Sequence, residues 1–308
     1  MRTLQHKFIA FLYRRYILNF IQNAERANLD NPRAWMKLAQ QKINEIKIPL
    51  PYALVERIDH PDFKGIKVKT RQTRSDDKAI LYFHGGGFVA GSPDLFVSLA
   101  YQLSKSSGMP VYLLKYPLLP QASSKTILAA AKKSYNYLMQ DLQIPARNIA
   151  FGGDSAGGGL ALTLLNALKT QDEALPACWF GLSPWVDLTL STASFNASSE
   201  KDYILLFPKK WYQQIVADYA LDLEPSESVI SPLFADFKGL PPAYIQSGGD
   251  ERLLDENIEL ARRLKKSGVV VQHDIFANMP HAFQIMPLAE SKRALQQIGA
   301  FVSATIIS

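Results

Sequence analysis

The feature that most restricts how this chain can fold is a repeated alternation of short apolar runs with helix-period segments along most of its length. β-rich runs are expected at Ala79–Phe83, Val111–Lys115, Asn148–Phe151, Ala177–Leu182, Ala243–Gln246 and Val269–Phe276. Between and after them lie helical segments at Leu95–Ser106, Thr126–Met139, Ala156–Leu168, Leu254–Lys266 and Leu288–Val302. Apolar strands joined through helices imply an α/β protein: a mainly parallel sheet, buried on both faces by helices. Two earlier runs, Leu54–Ile58 and Gly65–Thr70, are joined by short turns and are expected to pair antiparallel at one edge.

Two stretches break this rhythm. Leu4–Lys47 reads as helical, with Asn31-Pro32 marking a break and a new start. Val186–Leu223 holds Ser/Thr/Asn-rich turns and then an aromatic helix around Trp211–Tyr219. An insertion of that size between core elements suits a cap over a site, which the N-terminal helices would complete. The expected organisation is therefore residues 1–48 as N-terminal cap helices and 49–308 as the catalytic domain, with the cap insertion at about 186–223.

With 47% hydrophobic and 20% charged residues, the 308-residue chain has the composition of a globular protein. Its net charge of +6 comes from scattered basic residues and no nucleic-acid-binding motif accompanies them, so no nucleic-acid partner is expected. Cys178 is the only cysteine, which leaves no intrachain disulfide and no thiolate metal cage; it reads as a buried structural thiol. Phe8–Phe20 is apolar and aromatic, but Arg14 and Arg15 interrupt it. That argues against a spanning helix, against stable membrane insertion and against a signal peptide, so a cytoplasmic location is expected. An amphipathic helix remains, covering an apolar cleft of the same protein in preference to touching a membrane.

Three motifs carry chemistry. Gly153-Asp154-Ser155-Ala156-Gly157 follows a strand and opens a helix, the context that a G-x-S-x-G nucleophile turn requires. Such a turn lifts the Ser155 hydroxyl above the sheet at a helix N-terminus, where negative charge is favoured. His84-Gly85-Gly86-Gly87 follows the strand Ala79–Phe83, and backbone N–H groups of such a loop can line an oxyanion hole. Gly85 and Gly86 are the expected donors, with Ala156 as the third; His84 is expected to brace the loop. No phosphate-loop spacing is present. His281, in the loop beyond the strand Val269–Phe276, suits the chain order serine, acid, histidine. Gly248–Glu256 offers four carboxylates for the acid; Asp255 and Glu256 fall in the next helix as dipole partners, leaving Asp250 and Glu251.

Taken together, His84-Gly85-Gly86-Gly87-Phe88, Gly153-Asp154-Ser155-Ala156-Gly157-Gly158 and His281-Ala282-Phe283 resemble the hormone-sensitive-lipase-like branch of the α/β-hydrolase fold. Tyr116-Pro117-Leu118-Leu119-Pro120 and Ser183-Pro184-Trp185-Val186-Asp187 also look familial. The resemblance implies an esterase acting on small-molecule, short-chain acyl esters through an acyl-enzyme, without metal or cofactor. It also puts Glu251 in the acid's place, since Glu251-Arg252-Leu253-Leu254-Asp255-Glu256 aligns without a gap on the branch's D-P-L-x-D-E pattern, about thirty residues before the histidine. The same triad could serve an amidase, lactonase or acyltransferase. A non-catalytic receptor on this fold, known within the branch, lacks the catalytic histidine that is present here. Phe88, Trp185 and Phe207 are candidates for the substrate pocket, and assembly into a homodimer is left open.

Overall fold

The computed structural model describes residues 4–26, 32–44, 54–74, 76–197 and 201–306. The expected boundary at 48–49 and the Asn31 half of the expected break lie outside them. An eight-stranded sheet runs in the order β1-β2-β4-β3-β5-β6-β7-β8. Its strands are β1 Leu54–Asp59, β2 Lys64–Lys69, β3 Ala79–Phe83, β4 Val111–Leu114, β5 Ile149–Asp154, β6 Cys178–Leu182, β7 Ala243–Gly248 and β8 Val271–Phe276. As expected, β1 and β2 pair antiparallel; β2 also meets β4 antiparallel, and every other pairing is parallel.

The helices are α1 Leu4–Arg26, α2 Pro32–Asn44, α3 Val97–Ser107, α4 Ser124–Asn136, α5 Ser155–Thr170, α6 Ala193–Asn196, α7 Lys209–Ala220, α8 Leu254–Lys266 and α9 Ala289–Thr305. Period-2 patterning sorts them onto the two faces of the sheet. In β3, Ile80 and Tyr82 face a cluster built with Val97 and Leu103 of α3 and Ile298 and Val302 of α9. Ala79, Leu81 and Phe83 face the opposite cluster, with Ile127 of α4, Leu160 and Leu164 of α5 and Leu260 of α8. The expected helix Thr126–Met139 starts two residues earlier and stops at Asn136, where one wider π-helical turn over Tyr137–Asp141 takes over.

The central strands run further than hydrophobicity alone indicates. β5 continues past Phe151 to Asp154 because Gly152 and Gly153 stay paired with Tyr82 and Phe83 on one side and with Phe180 and Gly181 on the other. The lack of side chains here is a packing requirement: a Cβ on Gly152 would lie 2.0 Å from Cζ of Phe180. Cys178 is a buried free thiol, pushed up to about 12 by burial.

Among the described residues, the C-terminal ends of five strands point the functional loops the same way: β3 into His84–Gly87, β5 into Ser155, β6 into Ser183, β7 into Asp250–Glu251 and β8 into His281. Above them sit α1, α2 and α7. Trp35 of α2 stacks on Trp211 of α7 with ring centroids 4.4 Å apart, and Phe20 of α1 meets Trp211 edge-on at 6.1 Å. His6 of α1 is hydrogen-bonded to Tyr203 at 3.1 Å.

Replacing Gly152 with Ala is expected to cost about 1–3 kcal/mol of unfolding free energy by overpacking, measured by denaturant titration. Part of that loss should return in Gly152→Ala/Phe180→Leu, since the two residues share one contact. A Gly152→Ala protein as stable as wild type would contradict the packing described.

Candidate active site

Ser155 stands where β5 ends and α5 begins, with φ at 51°. A serine in the left-handed region carries backbone strain, which a sharp strand-to-helix turn imposes. The turn is possible because its neighbours are bare. A Cβ on Gly157 would lie 2.0 Å from the Phe83 carbonyl oxygen, and one on Gly153 would lie 2.5 Å from the Gly157 backbone. Ala156, the second residue of α5, has an N–H in the first turn with no intrahelical acceptor.

The glycine loop is held by the residue beside the serine. Asp154, 3% exposed, accepts hydrogen bonds at 2.9 Å from the Tyr82 hydroxyl and from the Gly85 N–H. Burial pushes its carboxyl up to about 7, against those two donors. This corrects one expectation: the Gly85 N–H is already engaged by Asp154 and is withdrawn from the oxyanion donors. The N–H groups of Gly86 and Gly87 have no partner among the described residues, and Gly86 has a φ of 115° that only glycine adopts readily. His84 braces the loop: its Nδ1 is 2.8 Å from the Gly85 carbonyl, its own carbonyl accepts from the Tyr116 hydroxyl at 2.6 Å, and its ring stacks on Tyr116. Burial lowers it to about 4, so the ring is neutral.

His281 is buried, and burial lowers it to about 3, which leaves a neutral imidazole at physiological pH. It lines the same cavity as Ser155, but no hydrogen bond joins the two side chains. Its Nδ1 has no partner among the described residues. Glu251, expected as the acid, makes no hydrogen bond to that nitrogen. The Glu251 carboxylate instead accepts from the Ser183 hydroxyl, from the Gly248 N–H at 2.8 Å and from Asn257 at 3.0 Å. Ser183 Oγ in turn accepts the Ala282 N–H at 3.0 Å, so Glu251 reaches the histidine loop through Ser183. Burial pushes the Glu251 carboxyl up to about 8, with the three donors opposing. Asp250 is half-buried, with its N–H on the Met279 carbonyl at 3.0 Å.

A second carboxylate that the motifs did not flag holds the other side of that loop. Asp202, buried in the insertion, accepts the His281 N–H at 3.2 Å and the Arg252 N–H at 2.8 Å, besides the Ile204 and Leu205 N–H groups of its own turn. Burial pushes it up, and those four N–H donors oppose the shift. Arg252 returns the contact: its guanidinium donates to the carbonyls of Phe195 and Leu205, at 2.6 and 3.0 Å, and lies over the Phe195 ring. Glu256 does more than meet the helix dipole. It falls in the first turn of α8 as expected, but it is also a buried carboxylate accepting the Val186 N–H at 2.7 Å and the Asp187 N–H at 3.3 Å, tying α8 to the start of the insertion.

The cavity over Ser155 has a volume of about 430 Å³ and mostly apolar walls. Trp185 and Phe207 line it, joined by Tyr13, Phe20, Trp35 and Trp211 from the covering helices. Phe88 does not. With φ at 61°, it is buried and its ring stacks on Tyr219 with centroids 4.2 Å apart. The nearest reach of three His/Asp/Glu ligand atoms among the described residues, at His60, Asp62 and Asp141, lies outside this cavity.

Comparison with known proteins agrees with this fold. Residues 80–285 match the α/β hydrolase fold family. The chain is 31% identical to an acetyl-hydrolase of Streptomyces hygroscopicus over 75% of this chain and 77% of that one. It is 30% identical to an esterase of Acinetobacter venetianus over 78% and 79%. A solved structure of an esterase from the bacterial hormone-sensitive lipase family superimposes with a TM-score of 0.83 at 30% identity, covering 96% of this chain and 98% of the other. The chain belongs to the α/β-hydrolase fold family, in its hormone-sensitive-lipase-like branch.

Proposed function

We propose that this protein is a serine carboxylesterase that hydrolyses small-molecule, short-chain acyl esters through an acyl-enzyme on Ser155. The observation that carries the reading is the left-handed Ser155 at the N-terminus of α5, opening with His281 and the glycine loop into one apolar cavity. The relatives named acetyl-hydrolase and esterase support the same reading. α1, α2 and the 186–223 insertion act as the cap that keeps bulk water from the acyl-enzyme. A buried free thiol at Cys178 fits the reducing cytoplasm expected for it.

In this mechanism the Ser155 hydroxyl attacks the ester carbonyl while neutral His281 takes its proton. The N–H groups of Ala156, Gly86 and Gly87 stabilise the oxyanion, at the positive end of α5. His281 then protonates the leaving alcohol, and in the second half activates water against the acyl group. Glu251 supplies the negative charge that stabilises the imidazolium, and Asp202 and Ser183 hold the histidine loop by its two consecutive N–H groups.

Purified protein should turn over p-nitrophenyl acetate and butyrate faster than a long-chain homologue. Ser155→Ala should lower kcat by at least about a thousandfold. A mutant as active as wild type would remove the assignment.

The pH dependence follows from the two shifted groups. His281, lowered to about 3, is already neutral across the working range, whereas Glu251, raised to about 8, is still ionising there. Since the ionised carboxylate is the active form, kcat/KM should rise with pH through a midpoint near 8. In Glu251→Gln that rise should vanish and the rate should fall by about 10²- to 10⁴-fold. An unchanged rise in the mutant would assign it to another group.

Asp202→Ala should lower kcat by about 10- to 100-fold, through a displaced His281, with a smaller effect on KM. Active sites titrated with an organophosphonate separate this from simple unfolding. A drop only in the titratable fraction, at normal kcat per site, would reduce Asp202 to a structural role.

A further inference from the structure

α1 buries Ile9, Ile17, Ile21 and Ala24 against the rest of the molecule. Its opposite face should be polar, as on an ordinary surface helix. Toward the N-terminal end it is not. Phe8 is 63% exposed, Phe11 56%, Leu12 47% and Tyr16 51%, a spacing of three, four and eight that sets them along one side. Further along, the same side turns polar, with Asn19, Gln22 and Asn23 exposed. Lys7 and Arg15 are exposed among the aromatic residues. The first 24 residues hold four basic residues, Arg2, Lys7, Arg14 and Arg15, and no Asp or Glu, in a chain with 28 acids.

We propose that this end of α1 is a docking surface for an anionic phospholipid bilayer. Aromatic and aliphatic side chains enter the headgroup–acyl boundary while Lys7 and Arg15 meet the lipid phosphates. Charge decides the occupant: a second copy would bring the same basic stretch, without Asp or Glu over its first 24 residues, against itself, whereas an anionic surface neutralises it. Surface docking also matches the span of the molecule, since no helix among the described residues is long and apolar enough to cross a membrane.

The surface is continuous with the catalytic cavity. Tyr16 belongs to the exposed stripe and lines the cavity, and Tyr13, Ile17 and Phe20 of the same helix form its wall. Docking would therefore place the cavity mouth at the lipid, so that esters partitioned into the bilayer enter past Tyr16. This last step alone rests on the esterase reading.

The test is sedimentation of full-length Ser155→Ala protein with vesicles of pure phosphatidylcholine and of phosphatidylcholine with about 30 mol% phosphatidylglycerol, an anionic lipid. Because the protein used is hydrolytically dead, the result does not depend on whether the wild type is an esterase. Binding should be at least about tenfold tighter to the anionic vesicles and weaken as salt rises. Arg15→Gln should weaken it about fivefold. A Phe8→Gln/Phe11→Gln/Leu12→Gln protein should lose it by more than about tenfold, while keeping the melting temperature and, with Ser155 restored, the turnover of soluble p-nitrophenyl acetate. Three results overturn the proposal: no sedimentation, equal binding to both vesicle types, or full binding by the triple variant. A concentration-dependent dimer in analytical ultracentrifugation that the triple variant abolishes would assign the stripe to a second copy and overturn it as well.

Discussion

Much of the site depends on one buried carboxylate that performs no chemistry. Asp154 sits at the end of β5, next to the serine, and receives the Tyr82 hydroxyl and the Gly85 N–H, both at 2.9 Å. Through these two bonds the loop after β3 and the turn after β5 become one body, which fixes where Gly86 and Gly87 stand relative to Ser155. Desolvating a carboxyl is costly, and burial raises it to about 7. Removing either donor would leave it with the other alone, which makes the arrangement costly to separate. The contact is tight enough that a side chain on Gly85 would collide with it: a Cβ there would lie 2.2 Å from Asp154 Oδ2.

The histidine side is organised differently. No bond joins an acid to the imidazole; two acids grip the backbone around it instead, Asp202 at the His281 N–H and Glu251, through Ser183, at the Ala282 N–H. Because Asp202 comes from the insertion and Arg252 from the loop after β7, the covering layer and that loop share reciprocal hydrogen bonds, and Asp202 also accepts the N–H of His281. Movement of the cap would be felt at His281 through the Asp202 bond to its N–H.

The alternation of apolar runs and helices made the sheet readable in the sequence, and Ser155, His281 and Ala156 lie where their motifs put them. What stayed hidden has a common physical character. The full length of β5 was masked because Gly152 and Gly153 carry no hydrophobic signal, though the ladder runs through them. Gly85 was misread because a spacing rule counts backbone donors without showing which are already taken. Phe88 was misread because one left-handed residue reverses the direction of a ring. Asp202 and Ser183 act through contacts 79 and 99 residues away, and no local pattern encodes those.

Four residues other than glycine take up left-handed backbone conformations around this site: Phe88, Ser155, Ser183 and Ala282, with φ between 46° and 61°. Each costs of order 1–3 kcal/mol relative to a relaxed backbone. Set against the roughly 5–15 kcal/mol by which a typical domain is stable, that load is large. The molecule thus keeps part of its strained backbone where its reaction is performed, the rest lying at Gln143, Asp172, Leu190, Leu221 and Asn278. Selection for heat tolerance alone would erode these four positions first, trading turnover for durability. The durable variants of this fold would be those that add stability elsewhere, in the helices and outer loops, and leave the ring around Ser155 under tension.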